Sequence, residues 1–136
     1  MTEENTYVSS GLMIRSVVKD HCMKQVKILK KFWDCRQVSN EFLDHLEMVL
    51  DGVIREFIHT FPLAASDVVN NNPLVEGLIK RNAVRRKLIL GLRERMKWVK
   101  ITDIDDAAVD CVSKRFACRI DNIIGSHPSK GKRLMV

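Results

Sequence analysis

The stretch NEFLDHLEMVLDGVIREFIHTF, residues 40–61, decides how the rest of the chain is read. Phe42, Leu43, Leu46, Val49, Leu50, Val53, Ile54, Phe57, Ile58 and Phe61 recur at i, i+3, i+4 and i+7 without a miss. That spacing lines apolar side chains along one side of an α-helix. Ser39 stands where an N-cap belongs, its hydroxyl within reach of the orphan N–H groups of the first turn. Val38 and Leu43 then take the two positions of a hydrophobic staple. Glu41 and Asp44 lie near the positive end of the helix dipole, and Pro62 stops the helix.

Three further helices are predicted on either side. Residues 11–33 carry Leu12, Ile14, Val17, Val18, Val26, Leu29, Phe32 and Trp33 at roughly helical spacing, with five lysines between them. The period falters at Asp20-His21-Cys22, which leaves room for a break. A linker from Pro62 to Pro73, with room for one short turn over 64–69, leads to a third helix. Asn72 caps it and Pro73 takes its first position, where a missing N–H costs nothing. It is predicted to run to Trp98 on a stripe of Leu74, Leu78, Val84, Leu88, Leu92, Met96 and Val99, interrupted by Arg81, with Gly77 and Gly91 weakening its continuity. After an extended connector, Thr102-Asp103-Ile104-Asp105 reads as a capping-box variant opening a fourth helix, which Gly125 ends. No internal repeat is legible. The expected fold is all-α, a single-domain bundle of about four helices over 1–125, followed by a mobile basic C-terminal tail at 126–136.

At 136 residues the chain suits one domain, and an apolar fraction of 46% is too high for a disordered one. No apolar run approaches the roughly 20 residues that cross a bilayer. The opening Met1-Thr2-Glu3-Glu4-Asn5 is unlike a secretory signal. The expected location is intracellular, in the cytoplasm or the nucleoid or nucleus.

The net charge of +6 is unevenly spread. Lys80, Arg81, Arg85, Arg86, Lys87, Arg93, Arg95, Lys97 and Lys100 lie within 21 residues and face only Glu94, which gives that stretch +8 and the remainder −2. Like charges three or four apart on a helix repel by a few tenths of a kcal/mol per pair, so this stretch should meet negative charge elsewhere. An internal source is Asp103, Asp105, Asp106 and Asp110, or Glu47, Asp51 and Glu56. An external source is phosphate, whose oxygens match the guanidinium fork. The expected function is nucleic-acid binding through the phosphate backbone, by these nine residues together with Lys130, Lys132 and Arg133 of the tail. The runner-up is an adaptor or inhibitor whose basic helix docks on an acidic partner. A homo-oligomer is expected in either case, and no membrane.

No catalytic constellation is found. His21, His45, His59 and His127 show no zinc-ligand spacing, and Gly125-x5-Gly131-Lys132-Arg133 is one residue too long for a phosphate-binding loop and lacks the Ser or Thr after its Lys. The chain is read as a non-enzyme without cofactor or metal.

Two stretches are similar to parts of the histone fold, the helix–strap–helix unit that pairs into dimers and binds the DNA backbone. Arg36-Gln37-Val38-Ser39-Asn40-Glu41-Phe42-Leu43-Asp44-His45-Leu46 resembles the loop and opening of its long central helix. Lys97-Trp98-Val99-Lys100-Ile101-Thr102-Asp103-Ile104-Asp105-Asp106-Ala107 resembles its second loop and last helix. The resemblance implies a histone-fold-related helical unit in which Arg36 and Lys97 or Lys100 contact backbone. The two patches fall in different halves of the chain, so one such unit does not use both.

Cys22, Cys35, Cys111 and Cys118 contain no Cys-x-x-Cys pair and fall in predicted helices or at their edges, where a free thiol behaves as a small apolar group. All four should titrate in denaturant without reductant, and metal analysis should find no stoichiometric zinc; one tightly bound zinc per chain would overturn this assignment.

Overall fold

Gly11 and Gly77 both have positive φ, 70° and 83°, a backbone region that disfavours side chains with a Cβ. Each turns the chain into a short extended segment that enters a helix. The two segments meet as an antiparallel bridge between Met13 and Ile79. Ile14 N–H donates to the Leu78 carbonyl at 3.0 Å, and Lys80 N–H to that of Leu12 at 2.8 Å. The computed structural model describes residues 11–61 and 74–135. In chain order these form α1 (Arg15–Leu29), β1 (Gln37–Val38), α2 (Asn40–Thr60), α3 (Arg81–Arg95), α4 (Asp106–Ser126) and β2 (Arg133–Leu134). This is an all-α fold with one two-residue-long parallel strand pair.

A shift of 66 residues carries α1 onto α3 and α2 onto α4. The local chemistry shifts with it. Lys30 N–H donates to Val26 at the end of α1 and Met96 N–H to Leu92 at the end of α3, both at 2.8 Å. Ser39 caps α2 by accepting from Phe42 N–H at 3.0 Å, and Asp105 caps α4 by accepting from Ala108 N–H at 3.2 Å. Val18, Cys22 and Val26 are the buried positions of α1; Val84, Leu88 and Leu92 are those of α3. The chain is therefore two copies of a helix–loop–long-helix unit, a repeat the sequence does not advertise.

The units interlock. Each short helix lies mainly on the long helix of the other unit, α1 on α4 and α3 on α2, while α2 and α4 pack against each other. Gly91 makes the second contact close, since a Cβ there would run into Ile58 of α2. β1 pairs in parallel with β2, Gln37 beside Arg133 and Val38 beside Leu134, which fixes the start of α2 next to the end of α4. One core runs through both units, built on Phe42, Leu46, Leu50, Ile54 and Phe57 of α2 and Phe116, Ile120 and Ile124 of α4.

Several sequence expectations are corrected. The first helix is unbroken at Asp20 to Cys22 but shorter than 11–33, and Phe32 is fully exposed. The third helix begins at Arg81, because Gly77 turns the backbone and Leu78 and Ile79 are committed to the bridge. Leu74 and Val99 are exposed accordingly. Asn72, Pro73 and the rest of the 62–73 linker lie outside the described residues. The fourth helix is capped by Asp105 and not by Thr102, and it passes through Gly125 to Ser126. The segment after it packs back on the chain through β2. Leu134 is wholly buried, Trp33 Nε1 donates to the Gly131 carbonyl at 2.6 Å, and the Trp33 ring stacks on His127.

The repeat also places an arginine at the start of each short helix. Arg15 pairs with Asp44 at 2.9 Å and with Glu47, whose side chain is completely buried, at 2.7 Å. Burial works against the Arg15 charge, but these two carboxylates outweigh it and hold its pKa above the ordinary value. Arg81 pairs with Asp110 at 2.7 Å, and Ser113 stands where the first unit has Glu47. Arg15→Ala should cost about 3 kcal/mol, because it strips a partner from a buried carboxylate. Arg81→Ala should cost less than about 1 kcal/mol, the usual worth of a surface pair. Urea unfolding of the two variants checks this, and equal losses would contradict it.

Candidate nucleic-acid interface

The twelve basic residues expected from the charge pattern to bind phosphate lie on α3, at its N-cap (Lys80), in the loop after it, or in the segment around β2, and the structure divides them into two groups. The first group is engaged within the fold. Arg81 pairs with Asp110 as above. Arg85 is held between the Ile104 carbonyl, Asp106 and Asp103, the last at 3.6 Å. Arg95 donates to the Ile58 and Phe61 carbonyls at 2.8 and 3.0 Å, closing the C-terminal end of α2, where orphan carbonyls and the negative end of the dipole favour a cation. Arg93 donates through Nε to the Ile101 carbonyl at 2.6 Å, a contact that leaves its charge uncancelled. Arg133 donates to Gln37 Oε1 at 3.0 and 3.2 Å. The second group, Lys80, Arg86, Lys87, Lys97, Lys100, Lys130 and Lys132, is exposed and makes no ion pair among the described residues.

The repeat brings in residues that charge counting missed. Shifted by 66, Lys19 falls on Arg85, Lys27 on Arg93 and Lys31 on Lys97. Lys19, Lys24, Lys27 and Lys31 are exposed and make no ion pair among the described residues. The basic surface therefore covers both short helices, which start together at the Met13–Ile79 bridge. The loops after them repeat a further feature. Phe32 follows Lys31 and Trp98 follows Lys97, and both rings are exposed, at 103% and 81%. The sequence signal that could have found this is Gly11-Leu12-x-x-Arg15-x-x-Val18 recurring as Gly77-Leu78-x-x-Arg81-x-x-Val84.

The two histone-like patches also take the same place in their units. Each lies in the loop and first turn that open a long helix. Arg36 is exposed and pairs with Asp34 at 3.2 Å.

Among the described residues no three His, Cys, Asp or Glu side chains are grouped so as to hold a metal ion, and no helix is long and apolar enough to cross a membrane. The titratable groups with shifted pKa values are core fittings. Burial pushes the Cys22 thiol up to about 12 and moves Cys35 the same way. Burial lowers His21 against the opposing pull of Asp121, 3.7 Å away. All four cysteines are free thiols. Comparison with protein-family models, curated proteins and solved structures finds no match to this chain.

The division between engaged and exposed cations has a measurable consequence. Replacing Arg85, with a side chain only 23% exposed and three partners, should lower stability by about 1 kcal/mol. Arg86→Ala and Lys87→Ala should stay within about 0.5 kcal/mol of the parent. Thermal unfolding of the single variants distinguishes the two cases, and an Arg85→Ala variant as stable as Arg86→Ala would remove the internal pairing from the account.

Proposed function

We propose that the chain binds nucleic acid through its phosphate backbone, with little sequence preference, using the exposed cations of both short helices and the loops that follow them. The observation that carries this reading is the repetition of charge: Lys27 and Lys31 in the first unit match Arg93 and Lys97 in the second, all exposed and none with a carboxylate partner among the described residues. The two loops open helices of 21 residues each, about 30 Å long, and the β1–β2 pair sets the start of one helix beside the end of the other. That length is close to one turn of a duplex, about 34–36 Å, the interval at which two-fold-related elements meet equivalent phosphates. A histone-fold-related origin fits the same facts, since such a unit pairs into dimers and here one chain carries both units.

A second reading has an observation of its own. Ile28, Leu29, Phe32 and Trp33 line a partly apolar hollow of about 450 Å³ beside Lys30 and Lys31. A basic rim around apolar side chains suits an acidic protein surface, as an adaptor or inhibitor would need.

Salt dependence separates the two. Binding of a 30-base-pair duplex, followed by fluorescence anisotropy between about 50 and 200 mM salt, should weaken steeply, with a slope near −0.9 per phosphate contact in a plot of log K against log salt. The pair Lys27→Ala with Lys31→Ala should flatten the slope by about 0.9 per contacting residue, and Arg93→Ala with Lys97→Ala by a similar amount. Full binding with an unchanged slope in both double variants would give the lead to the adaptor reading.

A further inference from the structure

The repeat allows the two units to be compared position by position, and they differ most where α1 or α3 passes the start of a long helix. In the second unit Arg85 is gripped by Asp103, Asp106 and the Ile104 carbonyl. The matching residues of the first unit are Lys19, Gln37, Asn40 and Val38. Both carboxylates have become neutral amides, and Lys19 makes no ion pair among the described residues. In their place is a polar cavity of about 390 Å³ lined by Lys19, residues 37–41 and Arg133. Arg133 is held at its edge by Gln37 Oε1. Two cations thus face this cavity against one carboxylate, the exposed Glu41, whereas in the other unit Arg85 meets the two carboxylates of Asp103 and Asp106 among the described residues.

We propose that this cavity is a phosphate site, and that Asp103 and Asp106 fill its counterpart from within, so the repeated fold has one open anion site and one closed by its own carboxylates. The second unit supplies the independent sign of a ligand: there the equivalent cation is bound by two anionic side chains, and in the first unit nothing among the described residues takes their role. A tetrahedral oxyanion fits both cations, the guanidinium through paired N–H groups and the ammonium as a point charge. Glu41 opposes it and sets a modest affinity. Resting on the reading of the protein as a nucleic-acid binder, the phosphate is a phosphodiester of the backbone, held next to the β1–β2 pair. A duplex is then gripped unequally by the two units.

The test converts one unit into the other. Gln37→Asp with Asn40→Asp gives the first unit the second unit's carboxylates; residue 40 lies in the first turn of α2, where an acid suits the helix dipole, and residue 37 is exposed in β1, so the variant should fold like the parent by circular dichroism. Its duplex affinity at 0.1 M salt should fall about eight-fold, and its salt slope should flatten by about 0.9, the loss of one phosphate contact. Glu41→Ala should tighten binding. A folded double variant with unchanged affinity and slope overturns the proposal. Titration of the full chain with inorganic phosphate, read by backbone amide shifts, keeps it separate from the broader reading. Saturable shifts at 37–41 and not at 103–107, in a protein that binds no duplex, would leave the anion site standing and remove its nucleic-acid source. No saturable shift at 37–41, or equal shifts in both units, would sink the site itself.

Discussion

The crossing of α2 and α4 is the contact on which the rest depends. Each is 21 residues long and buries too wide an arc for one neighbour to cover. In α2 that arc includes Phe42, Leu43, Leu46, Leu50, Val53, Ile54 and Phe57. The other long helix covers part of it and the short helix of the opposite unit covers more, which is why neither unit closes a core alone. A helix of this length is stable in water mainly through such packing, not through its intrinsic propensity. The bridge at Met13 and Ile79 and the β1–β2 pair then fix the ends. The buried Glu47, reached by Arg15 from α1, sits in the same layer and adds a directional constraint that apolar contacts lack.

The basic helix is tolerable because of where the acids lie. Arg81 and Arg85 are one turn apart and would repel in isolation. The first turn of α4 and the loop before it bring Asp103, Asp106 and Asp110 against them, and these acids sit at the end of α4 where the helix dipole already favours negative charge. One set of side chains therefore serves two helices. What remains uncancelled on α3 is Arg86, Lys87 and Arg93, together with the exit at Lys97 and Lys100.

How far this was legible follows from the residues. The 3.6-residue period of Phe42 to Phe57 announces α2 with its cap, because packing and local chemistry agree there. The start of α3 was misjudged for the opposite reason. Pro73 is a good first helical residue, but Gly77 at positive φ and the pairing of Ile79 with Met13 outweigh it, and a pairing across 66 residues leaves no local trace. The repeat was hidden because its two copies fill the same buried places with different residues, Cys22 against Leu88 and Leu50 against Phe116. At these places burial matches while identity does not, and the identities that do recur, such as Gly11-Leu12 with Gly77-Leu78, are few and scattered. Missing the repeat meant missing Lys19, Lys27 and Lys31, whose significance lies in their counterparts and not in their own neighbourhood. Internal neutralisation by the acids at 103–110 was one of two sources of negative charge the sequence left open, beside external phosphate, and the contacts of Asp103, Asp106 and Asp110 with Arg81 and Arg85 depend on how α3 lies against α4.

Two units in one chain are also free to differ in a way that two identical chains are not. In a symmetric dimer every substitution appears twice, and a charge near the axis meets its own copy. Here each unit changes alone. The first has a buried acid at Glu47 where the second has Ser113, and amides at Gln37 and Asn40 where the second has Asp103 and Asp106. Gln37 and Asn40 are exposed beside the crossing, as are Asp103 and Asp106, whereas Glu47 and Ser113 are buried. Both differences alter which side chains answer the cations of the short helices. The fold needs the repeat for its core and needs no symmetry at its surface, so each unit is free to carry its own set of charges.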